Sequence, residues 1–207
     1  MSKLIATTFL SLDGVYQGPG GTEEDPSGDF DLGGWVTPFY EEGMADLAEE
    51  WISRAGSFLL GRRTHDIFAA HWPKVTDPAD PLASRLNGLP KHVVSRTLTE
   101  SPWTGTSIVR GDVVESVREL KSRPGDEIQV HGSGALLQTL IAHDLVDEYR
   151  LWLFPVVLGK GRQLFPAGVV PKKFEHVESR RTAAGVTVLV LRPAGNPDYD
   201  TFRLVAE

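Results

Sequence analysis

The sequence predicts an α/β fold in three layers, with a mixed, mainly parallel sheet, helices on both faces and an antiparallel C-terminal hairpin. Three observations carry that prediction. Over roughly the first two thirds of the 207 residues, short apolar β-prone runs alternate with helical stretches, the pattern of strands joined by helical crossovers. The last third changes to strand-like segments separated by short turns, the pattern of a hairpin. No internal repeat or long linker interrupts this order, so residues 1–207 are expected to form a single domain.

Residues 3–12 (KLIATTFLSL) are apolar and β-prone and give the first strand. The following stretch, "DGVYQGPGGTEEDPSGDFDLGGW", is too rich in Gly, Asp and Pro for a regular element. A segment of that length inside a compact fold is typically functional or disordered, which leaves open whether residues 18–37 close over a ligand. In residues 38–55, Met44, Leu47, Ala48, Trp51, Ile52 and Ala55 recur at three- and four-residue spacing, so a helix is expected with Pro38 in its first turn. A strand at 57–60, a helix from about Thr64 to Trp72 and a Pro/Asp-rich loop follow. A short helix near 82–87 leads to strands at 91–95 and 106–111. "DVVESVRELKSRPG" is an amphipathic helix with a Pro-Gly stop, "DEIQVHG" a strand and residues 134–143 a helix. "DEYRLWLFPVVLG" reads as a strand and "KFEHVESRRTAAGVTVLVLRP" as a hairpin turning at Ala184-Gly185. "YDTFRLVA" suggests a final edge strand.

Composition narrows the function. The formal net charge is -7, and the first 50 residues hold one basic residue against eleven acidic ones. Such a chain has no broad basic face to displace counterions from nucleic acid. It contains no cysteine, which excludes disulfides, thiolate metal sites and a cysteine nucleophile and suits a cytoplasmic location. No apolar run approaches the roughly 20 residues of a membrane helix, and the N-terminus reads as a strand rather than a signal peptide. The six histidines show no ligand spacing, so no metal site is expected.

The basic residues gather at strand ends. Leu60 runs into Gly61-Arg62-Arg63-Thr64, Val94 into Ser95-Arg96-Thr97, and Val130 into His131-Gly132-Ser133-Gly134. Two of these ends lead directly into helices, whose N-termini offer unpaired N–H groups and partial positive charge to phosphate. Glycine lets backbone approach a ligand, and arginine adds a planar fork for phosphate oxygens. In open α/β sheets, ligands sit beyond the carboxyl ends of the strands. Three such ends suggest a ligand with several phosphates, and Arg62, Arg63 and Arg96 favour NADP over NAD. The Rossmann fingerprint is absent after the first strand, so a nucleotide-binding fold of another α/β type is implied.

These pieces resemble a known family. "SLDG", "GRRT", "VVSRTL", "VHGSGALLQTL" and "LVDEYRLWLFPVVLGKGRQLF" occur in the order expected of the dihydrofolate-reductase-like superfamily. The branch is that related to the C-terminal reductase domain of the riboflavin-biosynthesis protein RibD. The resemblance implies an NADPH-dependent reductase acting on a small heterocycle, as in reduction of 5-amino-6-(5-phosphoribosylamino)uracil, and a homodimer. It implies that Gly61, Arg62, Arg63 and Thr64 take pyrophosphate and the adenosine 2′-phosphate. Ser95, Arg96 and Thr97 would lie by the adenine ribose, and Gly132, Ser133, Gly134, Ala135 and Leu136 would wrap the pyrophosphate. Thr8, Asp13 and Gln17 would lie near the nicotinamide. The resemblance takes in only the reductase half of the bifunctional riboflavin protein and not its deaminase half, so these residues are expected to supply only the reduction. The first-helix carboxylate of folate reductases has no single counterpart, since Glu41, Asp29 and Asp31 all compete with Asp13 for the role of acid.

Hydride transfer is the cofactor's chemistry, so the protein needs few obligatory side chains. Asp13 is the first candidate to protonate or hydrogen-bond the substrate, although Asp-Gly is also a turn signal. Trp35 and Phe39 are candidates to stack on a flat substrate, with Glu41 beside them. Two other readings remain: a module that binds NADP or another nucleotide without turnover, and a true dihydrofolate reductase.

Overall fold

A computed structural model describes residues 1–201. Eight strands form one sheet in the order β4-β3-β2-β5-β1-β6-β8-β7. In chain order the elements are β1 (Leu4–Ser11), α1 (Glu42–Ile52), β2 (Ala55–Gly61), α2 (Arg62–His71), α3 (Pro81–Gly88), β3 (Lys91–Val94) and β4 (Thr106–Val109). They continue with α4 (Val113–Ser122), β5 (Glu127–His131), α5 (Gly134–Ala142), β6 (Glu148–Phe154), β7 (Phe174–Arg181) and β8 (Thr187–Pro193). Every neighbouring pair from β4 to β6 is parallel, and β8 runs antiparallel to both β6 and β7. The expected mixed sheet with an antiparallel C-terminal hairpin is therefore what the chain adopts.

The central strands are apolar on both faces because both are covered. On one side, Val117 of α4 and Leu137, Leu140 and Ile141 of α5 pack on Leu4, Ala6, Leu10, Leu59 and Val130. On the other, Met44, Leu47 and Trp51 of α1 meet Trp152, Phe154 and Val188. Ile52, Phe58, Leu60, Leu86, Val93 and Trp103 continue that layer beneath α2 and α3. A fully buried leucine such as Leu137 contributes about 1.5–3 kcal/mol through removal of apolar surface from water.

Several element boundaries differ from the expected ones, and three of them bear on the site or on the end of the parallel sheet. Residues 37–39 form a 3-10 turn around Pro38, and Tyr40 is extended (φ -69°, ψ 128°), so α1 starts only at Glu42. α2 opens at Arg62, directly after β2, placing both arginines inside its first turn. β6 stops at Phe154, before Pro155, which has no N–H to continue the ladder. Residues 202–206 of the expected final edge strand lie outside the described residues, and 199–201 are not strand. Among the described residues, no helix is long and apolar enough to cross a membrane.

This topology decides where function can sit. β3, β2, β5 and β1 are consecutive neighbours in the sheet and point the same way. Their carboxyl ends therefore meet along one edge, where β2 and β5 pass directly into α2 and α5.

Candidate active site

A cleft of about 870 Å³ opens along that edge. Its lining includes Thr8 and Gln17, all of Gly61 to Thr64, all of Ser95 to Thr97, and all of Gly132 to Leu136. Thus every residue that the sequence nominated for cofactor binding borders one cavity. The turns are also tied together. Ser133 Oγ accepts a hydrogen bond from the Gly61 N–H (2.9 Å) and donates towards Thr64 Oγ1 (3.0 Å). Ser133 sits in the left-handed region (φ 59°) after Gly132 (φ 55°), which turns the chain from β5 into α5.

The polar inventory suits a phosphate-rich ligand. Neither α2 nor α5 has a side-chain N-cap, so their first-turn amides stay open at the cleft. Arg62 Nε donates to both carboxylate oxygens of Asp66 (2.7 Å to each), while Arg96 has no acidic partner among the described residues. Thr8 Oγ1 is sealed from solvent with no hydrogen-bond partner, although Thr8 borders the cavity. Buried hydroxyls are normally paired, so this one is an unmet polar group just behind the cavity wall. No side chain is possible at Gly134, because an added Cβ would fall 1.8 Å from Cζ of Tyr16, whose ring lies against the start of α5.

A second wall comes from the 16–36 segment and the loop after β6. Gln17 is 2% exposed, and its amide donates to the carbonyls of Asp25 (3.0 Å) and Ser27 (2.8 Å). Its own carbonyl oxygens accept from the Trp35 indole and, through Oε1, the Arg162 N–H. The buried Asp25 carboxylate pairs with Arg63 (3.0 Å) and with Arg162, whose other nitrogen donates to Ser27 Oγ (2.8 Å). Glu24 also borders the cavity and accepts from the Gly20 and Gly21 amides. Burial nevertheless raises its pKa above the ordinary carboxylate value.

The nominated catalytic and substrate residues lie elsewhere. Asp13 does not line the cleft: it accepts from Ser11 Oγ (2.6 Å) and from the amides of Leu158 (3.1 Å) and Gly159 (2.8 Å). Burial pushes its pKa up, but the Ser11 hydroxyl and the two amides outweigh that and hold it low. Such a carboxylate clamps a loop and is poorly suited to donate a proton. Glu41 accepts from Ala183 (2.8 Å) and Ala184 (3.2 Å), fixing the β7–β8 turn to the start of α1. Trp35 and Phe39 pack edge-on against Phe154 (5.5 and 5.8 Å) inside the α1 layer. Asp31 pairs with Lys160, and the Asp29 carbonyl accepts from the same lysine. None of these six lines the cavity. The carboxylates that do are Glu24, Asp25 and Asp66, and the sequence singled out none of them. Arg162 sits in the quoted Gly-Lys-Gly-Arg loop, and that loop was the signal that could have found it.

On the opposite flank of the cleft, Thr7, Phe9, Phe68 and His131 face the α1 and α2 side of the sheet. The cavity therefore has a polar, glycine-rich part at the start of α5 and a more aromatic part on the α2 side of the sheet.

Comparison with known proteins agrees with this construction. The family model of the RibD C-terminal domain matches residues 2–188. The uncharacterized protein YyaP of Bacillus subtilis (strain 168) is 28% identical over 190 residues, spanning 91% of this chain and 93% of that one. Among solved structures, a protein from Shewanella sp. PV-4 named for riboflavin biosynthesis aligns with a TM-score of 0.65 at 22% identity. That alignment covers 92% of this chain and 98% of that protein. The Thermotoga maritima diaminohydroxyphosphoribosylaminopyrimidine deaminase/5-amino-6-(5-phosphoribosylamino)uracil reductase gives 0.61 at 16% identity. There the match takes in 93% of this chain but only 57% of the longer protein. With an eight-stranded sheet of this order, a cleft at its carboxyl edge and a family match over nearly its whole length, the chain belongs to the RibD C-terminal domain family.

Proposed function

We propose that the protein is an oxidoreductase that uses NADPH to reduce a small heterocyclic substrate. The observation that carries this reading is the convergence of the three strand-end turns on one cavity, with Arg62, Arg63 and Arg96 along it. Its volume of about 870 Å³ lies within the range of cofactor sites. When bound, NADPH supplies the hydride. The residues present suit that group: two uncapped helix starts and a glycine turn for the pyrophosphate, and Arg96, with no acidic partner among the described residues, for a further phosphate. The relative from Thermotoga maritima is named as a uracil reductase, which supports a pyrimidine-like substrate in the aromatic part of the cavity.

The chain's own contribution is binding, orientation and proton supply. Asp25 and Asp66 are each held by arginine, which leaves Glu24, whose pKa burial raises, as the cleft carboxylate best placed to carry a proton. The Asp25–Arg63–Arg162 cluster keeps the 16–28 strap in place as a wall against water.

Titration of the purified protein with NADPH, followed by nicotinamide fluorescence, tests the reading. Binding in the micromolar range is expected, and Arg96→Ala should weaken NADPH on the order of tenfold more than NADH, the equivalent of about 1.4 kcal/mol in one phosphate contact. Absence of binding at high micromolar NADPH, or equal losses for both cofactors, would contradict it.

A further inference from the structure

A buried hydrogen-bond chain runs from beneath the sheet to the aromatic side of the cleft. Glu127, Gln129 and His131 alternate along β5 and so share the α1 face. Glu127 receives both guanidinium nitrogens of Arg150 (2.9 and 2.6 Å), and Arg150 lies 5.2 Å from the centroid of Trp51. Gln129 is 1% exposed, and its amide nitrogen donates to the Trp51 carbonyl (2.7 Å) and to Glu127 Oε2 (2.8 Å). Both of those partners are acceptors only, so the two amide hydrogens of Gln129 are committed. What Gln129 offers to His131 Nε2, 3.1 Å away, is its carbonyl oxygen Oε1.

The consequence is a fixed tautomer: the proton sits on Nε2, and Nδ1 keeps its lone pair. Nδ1 has no hydrogen-bond partner among the described residues. Nor is it one of the sealed, partnerless atoms, which are Thr8 Oγ1, Thr106 Oγ1 and Trp152 Nε1. It is therefore open, and the opening that His131 borders is the cleft. The imidazole stands between Phe58 (5.6 Å) and Phe68 (6.4 Å), with Thr7 beside it in register. Burial, and then the positive charge of Arg150, push its pKa down to about 4, so the ring is neutral at physiological pH.

We infer that His131 is a specificity-determining residue, presenting Nδ1 as an uncharged acceptor that selects a heterocycle carrying an N–H donor on the aromatic side of the cleft. Gln129 is its positioning residue, and Glu127 with Arg150 sets Gln129 in turn. This rests on the reductase reading only for the identity of the ligand; the tautomer rests on the Glu127–Gln129–His131 chain with its partners Trp51 and Arg150. A site that offers an acceptor with apolar flanks rejects analogues unable to fill it, because the acceptor would lose water without replacement.

Nitrogen NMR on protein labelled with ¹⁵N-histidine, with His131→Phe to assign the signals, tests the first step. At pH 7 the His131 ring should show one protonated nitrogen and one bare one, with the proton on Nε2; a proton on Nδ1, or on both nitrogens, overturns the inference. The second step uses 6-aminouracil and its fully N-methylated analogue as probes on protein saturated with NADP. The unmethylated probe should shift the bare nitrogen and bind on the order of tenfold more tightly, and His131→Phe, checked for folding by circular dichroism, should lose that preference. No shift and no preference at millimolar probe overturns the assignment of the ligand class. A failure of NADPH to bind, with the bare nitrogen still observed, would remove the reductase reading and leave the acceptor assignment standing.

Discussion

Helices α4 and α5 start in opposite ways. Asp112 caps α4, its carboxylate accepting from the amides of Val114 (2.8 Å) and Glu115 (3.1 Å), and Glu115 adds an acid to the first turn. Asp80 does the same for α3, and α1 has Glu42 in its first turn. α5 has no acid and no side-chain cap, and α2 goes further by placing Arg62 and Arg63 against the positive end of its own dipole. Each missing cap forgoes about 1 kcal/mol. α1 also lacks a side-chain cap but carries Glu42 in its first turn, whereas α2 and α5 have neither cap nor acid and give several first-turn residues each to the cleft, which α4 borders only through Val113. Asp112 and Asp80 close the starts of α4 and α3, while the two starts with neither cap nor acid are left for an anion to close.

The largest expected effect comes from giving α2 the cap it lacks. Gly61 has φ -74° and ψ 158°, ordinary N-cap geometry, and a Cβ there would meet Ser133 at 3.4 Å, ordinary contact. Gly61→Asp should leave the fold intact and raise its unfolding free energy by about 0.5–1 kcal/mol in urea melts. Affinity for NADPH and for inorganic pyrophosphate should fall on the order of 100-fold in calorimetric titrations, because a fixed carboxylate now repels the ligand. Unchanged affinity would break the comparison, since the α2 start would then not be an anion site.

A smaller effect is expected where the two open helices are joined. Ser133 is the N-cap residue of α5, yet its hydroxyl reaches across to Gly61 and Thr64 rather than capping its own helix. Ser133→Ala leaves the Gly61 N–H without that partner, a cost of about 2 kcal/mol. Because the hydroxyl holds two turns in one geometry, the loss should appear both in thermal stability and as a several-fold weaker hold on pyrophosphate. A stability loss with undiminished binding would show the tie to be structural only.

The same contrast explains what could be read from the sequence. The turns Gly61 to Thr64, Ser95 to Thr97 and Gly132 to Leu136 are contiguous, and each follows an apolar strand. Their chemistry is local, so glycine, arginine and position suffice to find them. The acids are different, because their roles are set by distant partners. Asp13 is spent on amides 145 and 146 residues away, and Glu41 on amides 142 and 143 residues away. Asp25 lies in a segment that looked structureless, yet it meets Arg63 and Arg162 from two other parts of the chain. Nothing in composition or periodicity encodes such pairings. The strand order belongs in between: alternating strands and helices indicate a parallel sheet, but the insertion of β5 between β2 and β1 emerges only from the three-dimensional register.

The smallest effect is also the control on the opening contrast. Asp112 is exposed and does not itself line the cleft, although its neighbour Val113 does, and its two amide contacts are local to α4. Asp112→Ala should therefore cost about 1 kcal/mol of stability, as removal of an N-cap does elsewhere, with no change in NADPH or pyrophosphate affinity. Asp112→Asn, which keeps an acceptor oxygen at the cap, should recover most of the loss. If instead Asp112→Ala weakened the dinucleotide, α4 would be coupled to the cleft, and helix starts could no longer be sorted into those closed for stability and those left open for a ligand.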